Sequence, residues 1–274
     1  MPRARYEKPQ KGNPHELVIR QHVVPVRSIE RFAGPDGLVE TQIAGLKRIV
    51  KRKPSDEIFV ARRAWDERAE RGYMKAIEDA FQELADKILS GEIEHVGDIH
   101  ARTVNRFYAL WYHRSRVEPA DEIETQINGV TGEQFSKDQQ EFYEKRHILF
   151  VRAGGKIATR HITAMQLQAK IDGYSEQIKD WRWGVIQTVR GEFVMPDVPS
   201  HGLMPIAPNA MLAVHHPNGT ILKPNLIEIN ASFLAYTRNY FFARNIATAL
   251  SGVTTKLIMK AVRKRDALIA KGEY

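Results

Sequence analysis

A histidine and an aspartate far apart in the chain occupy positions where chemistry could be done. His22 stands in "RQHVVPVRSIERFAGPDG" (20–37), three residues before Pro25, in an apolar and basic stretch. An imidazole titrates close enough to neutrality to act as general base or acid. It can equally be a buried side chain held by hydrogen bonds. Asp197 closes the apolar segment "EFVMPD", between Pro196 and Pro199. A sheet can aim a strand-end carboxylate rigidly into a cleft, although aspartate is also an ordinary turn former. Arg106 and His113 are seven residues apart, two helical turns, and so share a helix face. Such a pair could take a proton from a ribose hydroxyl and stabilise phosphorane charge. His215 and His216 are adjacent before a Pro-Asn-Gly turn. Strand neighbours face opposite sides, so they read as a polar strand end and not a chelate.

The charge points to an anionic partner. Lysine and arginine number 41 against 33 aspartates and glutamates, a formal net charge of +8. Nucleic acid is the leading expectation, ahead of an acidic protein or a phosphate ligand; dispersed charge without a partner is the bland alternative. Two clusters would bind it: Lys47, Arg48, Lys51, Arg52 and Lys53 in "LKRIVKRKP", and Arg263, Lys264 and Arg265 in "KAVRKRDALIAK". No apolar run reaches the ~18 residues of a membrane span, and the N-terminus lacks the apolar region of a secretory signal. Cysteine is absent, which removes disulfides and thiolate metal sites and fits a cytoplasmic setting. Phosphate-loop, dinucleotide, zinc-protease, nucleophile-elbow and calcium-loop fingerprints are missing. "GGK" (154–156) reads as a turn. No cofactor is indicated.

The elements that must position these residues follow an order of strands, then helices, then strands with helices. Residues 1–16 read as a flexible basic arm, and 17–274 as a single α+β domain with a basic C-terminal helix. "ELVIRQHVVPV" has strand composition, and Ile29 and Phe32 lie three apart on a short helical turn. "GPDG" then leads into a hairpin from "LVETQI" and "LKRIVKR", and "EIFVARRAW" reads as another strand. Residues 66–91 predict a helix with Ile77, Phe81, Leu84 and Ile88 inward. Residues 95–116 predict a second, with Ile99, Val104, Phe107 and Leu110 inward. A loop over 120–133 and two further helices complete the centre. "RWGVIQTV" and "EFVMPD" flank Arg-Gly as a hairpin, and "NAMLAVHH" is a strand. Residues 223–244 begin as a helix, and a last helix covers about 254–270.

Two resemblances refine this. The Arg106–His113 spacing resembles the active-site pattern of the helical HEPN-type ribonucleases, although the β segments do not suit an all-helical nuclease. More extensively, the chain resembles bacterial domain-of-unknown-function family 4238. His22, Val24, Pro25, Ile29 and Phe32 fit its His-x-Val-Pro opening, and Asp36-Gly37 its turn. Asp197 and Pro199 fit its Asp-x-Pro, Pro205 and Pro208 its Pro-x-x-Pro. Val23 and Val198 depart from the pattern. The resemblance spans about 14–245 and implies two more positions, Arg114 near a helix end and Asn230 in a later helix. It implies a nucleic-acid-directed effector of a mobile-element or antiviral system. In a nuclease-like hydrolase, His22 would be general base or acid, Asp197 would orient it or hold a metal, and Arg114 with Asn230 would grip phosphate. In the alternative, a non-catalytic module binding nucleic acid or protein, His22, Asp197 and Asn230 form a buried structural network.

Overall fold

The computed structural model describes residues 6–46, 48–118 and 120–271. The chain enters through a short strand, β1 (Arg20–His22), and Pro25 opens a one-turn helix, α1 (Val26–Glu30). Ile29 and Phe32 are fully buried, as their spacing predicts. Beyond the Gly34–Gly37 turn, β2 (Val39–Ile43) and β3 (Ile49–Arg52) form the expected hairpin, with Val39 opposite Arg52. A 3-10 turn (Glu57–Phe59) precedes β4 (Val60–Arg62), which pairs antiparallel with β1. Two strands expected to be long are therefore three residues each. Asp56 accepts the Ile58 amide at 3.1 Å and winds the turn, while Leu17, Val24 and Trp65 enter the core from irregular chain.

The helical centre holds most of the larger core. A π-helical turn (Ala69–Tyr73) runs into α2 (Met74–Leu89), followed by α3 (Asp98–Arg114). The α2 side chains predicted inward are all buried, and Phe81 stacks on Phe107 with ring centroids 3.7 Å apart. Each such burial contributes about 2 kcal/mol before entropy is counted. Ile99 is the exception, 84% exposed, because the first turn of α3 projects past the neighbours that cover Val104, Phe107 and Leu110. The expected 120–133 loop contains a short strand, β5 (Glu124–Gln126). Then come α4 (Lys137–Lys145), closed at its start by a Ser136–Gln139 capping box, β6 (Lys156–Ala158) and α5 (Thr159–Gln177). Gly154 and Gly155, both at positive φ, make the "GGK" turn and let β5 and β6 pair.

Strands return after α5: β7 (Trp183–Thr188), β8 (Met195–Pro196), β9 (Leu203–Ala207), β10 (Ala210–Val214) and β11 (Gly219–Ile221). The expected Arg-Gly hairpin does not form. β7 lies between β10 and β11, whereas β8 crosses to the other sheet. Pro196 has no N–H for a second ladder, so β8 can only be a short edge strand. The remaining elements are α6 (Lys223–Tyr236), β12 (Tyr240–Ala243), α7 (Ile246–Ala249) and α8 (Thr255–Ala270). Two four-stranded sheets result, in the orders β3-β2-β12-β8 and β11-β7-β10-β9. This is an α+β fold. A second, smaller core of Phe193, Met211, Leu226 and Phe233 lies under α6.

Candidate functional site

Arg114 ends α3 with its side chain 2% exposed, and its donors are taken up inside the protein. Nε meets the Met74 sulfur at 3.1 Å, Nη1 bonds Glu78 and the His22 carbonyl, and Nη2 reaches Glu70 at 3.4 Å. The guanidinium also lies 5.0 Å above the Trp65 ring. The π-helical turn brings Glu70 onto this arginine. Burial pushes the Glu70 carboxyl up despite the nearby cation. His22 contributes a carbonyl to the cluster. Its ring Nε2 is buried with no hydrogen-bond partner. Burial, with the charges of Arg20 and Arg114, lowers the imidazole pKa to about 4, so it is neutral at pH 7.

Asp197 follows β8 and faces the turn between α6 and β12. One carboxylate oxygen accepts the Arg238 amide at 2.9 Å, and the other accepts the Asn239 amide at 2.7 Å and side chain at 3.0 Å. Trp111 donates its indole N–H to the Asp197 carbonyl at 3.2 Å, tying α3 to the same point. Burial raises the carboxyl pKa against the pull of those hydrogen bonds. Asn230, fully buried on α6, accepts the Val194 amide at 3.1 Å and donates to the carbonyls of Glu192 and Ala249 at 2.8 and 2.7 Å. It pegs α6 to the β8 segment and to α7.

The four residues therefore do not assemble into one constellation. Arg114 and Asp197 both border a cleft of about 560 Å³, whose lining includes neither His22 nor Asn230. One wall is Asp197, Asn239 and Tyr240; another is the end of α3 and the chain beyond it; a third is β4 with the start of α5. At its back lies a charge network that the sequence reading missed. Arg63 and Arg160 each bond Glu144 at 2.6 Å, and Glu7 bonds Arg160, Lys137 and Arg152. Although burial opposes it, Arg160 with its neighbours holds the Glu7 carboxyl well below the usual carboxylate range. Residues 6–16, expected as part of a flexible arm, are tied to α4 and α5 by these bonds and by His15 to Asp138 at 2.7 Å.

Tyr240 was also missed. It is 5% exposed, meets Phe59 edge-on and stacks on Phe242, and its hydroxyl has no hydrogen-bond partner among the described residues. Nothing marks it in "YFFA", which reads only as a strand. A buried pair, His161 Nδ1 with Asp66 at 3.1 Å, is sealed behind Phe150, and its only sequence hint is the position of Arg160-His161 at a helix start. Arg106 and His113 take separate neighbours: Arg106 reaches Asp172 at 3.8 Å and Tyr73, while His113 packs on Tyr174.

The basic clusters differ in how far they are free. On β3, Lys51 bonds Asp36 at 2.6 Å and Arg52 meets Asp56 at 3.5 Å, whereas Arg48 and Lys53 are exposed; Lys47 lies outside the described residues. On α8, Arg265 is held by Asp266 and the Ala235 carbonyl, and Arg263 and Lys264 are exposed. Among the described residues no group of three or more His, Asp or Glu side chains is placed to hold a metal ion. Among them too, no helix is long and apolar enough to cross a membrane.

No family model matches the chain, and no curated protein or solved structure matches it.

Proposed function

We propose that the protein is a non-catalytic nucleic-acid-binding module that grips the phosphate backbone with the outer face of α8. One observation carries this reading. At 100° per residue, Lys256, Lys260, Arg263, Lys264 and the cap residue Lys271 fall within about 100° of arc, and none forms an ion pair among the described residues. Leu257, Ile258, Ala261, Val262 and Leu268 are half-buried on the adjoining arc of about 140°, and α8 packs on α6. A continuous cationic stripe on a rigid helix suits a row of phosphates, whose condensed counterions it would release. Arg48 and Lys53 beside β3 are a second source of free positive charge.

A hydrolase built on His22, Arg114, Asp197 and Asn230 draws less support. Arg114 and Asn230 have their hydrogen-bonding groups engaged internally, and the His22 ring does not border the cleft. The test is fluorescence anisotropy with labelled duplex DNA and single-stranded RNA across a salt series, with the same samples checked for cleavage. Binding that weakens steeply with salt, without turnover, is expected. Cleavage abolished by His22→Ala at unchanged melting temperature would restore the hydrolase, and no binding at low salt would overturn both readings.

A further inference from the structure

The lining of the 560 Å³ cleft has a charge balance opposite to that of the whole chain. All four arginines on its walls are already ion-paired: Arg62 with Glu57 at 2.8 Å, Arg63 with Glu144 at 2.6 Å, Arg160 with Glu144 at 2.6 Å and with Glu7, and Arg114 with Glu78 and Glu70. Three carboxylates on the same walls, Glu118, Glu122 and Asp197, have no cationic partner among the described residues. Asp197 is the informative one. Glu118 and Glu122 are exposed and water solvates them, but Asp197 is 2% exposed. Amide hydrogen bonds from residues 238 and 239 orient its carboxylate without cancelling its charge. Isolated charge at that depth is costly unless something compensates it.

A second observation points to a ligand. Tyr240, on the cleft wall and 5% exposed, holds a buried hydroxyl with no hydrogen-bond partner among the described residues. Buried tyrosines ordinarily find a partner for that group. Burial, together with the Asp197 charge, pushes its pKa up, so the phenol stays protonated and can donate or accept. Between the polar groups the lining is apolar, with Val23, Ile43, Val60, Val117 and Ile123. The volume is within the ~300–1,000 Å³ range of small-ligand pockets.

We propose that this cleft binds a small organic cation, a protonated amine with an apolar body. Its ammonium would sit against Asp197 and Tyr240, and its body along the apolar wall toward Glu118 and Glu122. Phosphate-bearing ligands are disfavoured, because they would meet unpaired carboxylates while every arginine is occupied. The cleft is thus independent of nucleic-acid binding on α8.

Isothermal titration of the full chain at neutral pH tests it, with phenethylamine as probe and 2-phenylethanol as its uncharged counterpart. The amine should bind at least about tenfold tighter than the alcohol, as expected for a charged hydrogen-bonded group. Tyr240→Phe, which removes a hydroxyl with no partner, should fold at least as stably as the natural chain and bind the amine roughly fivefold more weakly. Glu118→Gln with Glu122→Gln, both exposed, should weaken it by about threefold without moving the melting temperature. Equal affinity for amine and alcohol, no heat from the amine at millimolar concentration, or unchanged affinity in Tyr240→Phe would each overturn the proposal.

Discussion

Arg114 and Arg263 are the same residue type used in opposite ways. Arg114 is buried beneath Trp65, with two carboxylates, a carbonyl and a sulfur around it, and it holds α3, the π-helical turn and β1 together. Arg263 stands on the exposed face of α8 with no ion pair among the described residues. The first is bound into the fold. The second is free for something outside it. A cationic side chain therefore says little by type alone; what matters is whether its charge is already compensated.

The largest expected effect comes from breaking the buried side. Arg114→Ala should lower unfolding free energy by about 3–4 kcal/mol, because it strands Glu70 and Glu78 partly buried without their cation. Urea denaturation measures this. Arg114→Met, which keeps the volume but not the charge, should do little better. Asn230→Ala follows, at about 3 kcal/mol, since three buried backbone groups lose their partner. Asn230→Asp should not rescue it, because a carboxylate cannot donate to the Glu192 and Ala249 carbonyls.

His22 gives a smaller, pH-dependent effect. Its folded pKa, about 4, lies below the ordinary value of 6.5. Between those values the unfolded chain binds the extra proton and the folded chain does not. Stability should therefore fall as pH drops from about 6.5 toward 4, and level off below. His113, lowered in the same way, adds to the slope. Replacing both with glutamine should flatten the profile; an unchanged profile would mean that neither ring is held neutral. Smallest of all, Arg263→Gln should leave stability within about 0.5 kcal/mol.

Much of the scaffold was legible in the sequence because its signals are local. The i, i+4, i+7, i+11 spacing of Ile77, Phe81, Leu84 and Ile88 marks the buried face of α2, and the "GPDG" turn with the two segments after it marks the β2–β3 hairpin. The sheet switch after Arg190-Gly191 was not legible, since the partner of β8 is β12, over forty residues downstream. The site was half legible. Resemblance and strand-end position named Arg114 and Asp197, both of which border the cleft. Their roles were hidden because their partners are distant: Glu70 and Glu78 precede Arg114 by 44 and 36 residues, and the turn held by Asp197 follows it by 41 and 42. Glu7 was hidden for the same reason, being 153 residues from Arg160.

The most direct measurement is the salt dependence of nucleic-acid affinity for the natural chain and for a variant with Lys256, Lys260, Arg263 and Lys264 all changed to glutamine. Plotted as log affinity against log salt on duplex DNA, each phosphate contact contributes a slope of about −0.9. If α8 is the grip, the variant's slope should be shallower by about 3–4, with its melting temperature unchanged. An unchanged slope in a folded variant would contradict the assignment of nucleic-acid binding to α8.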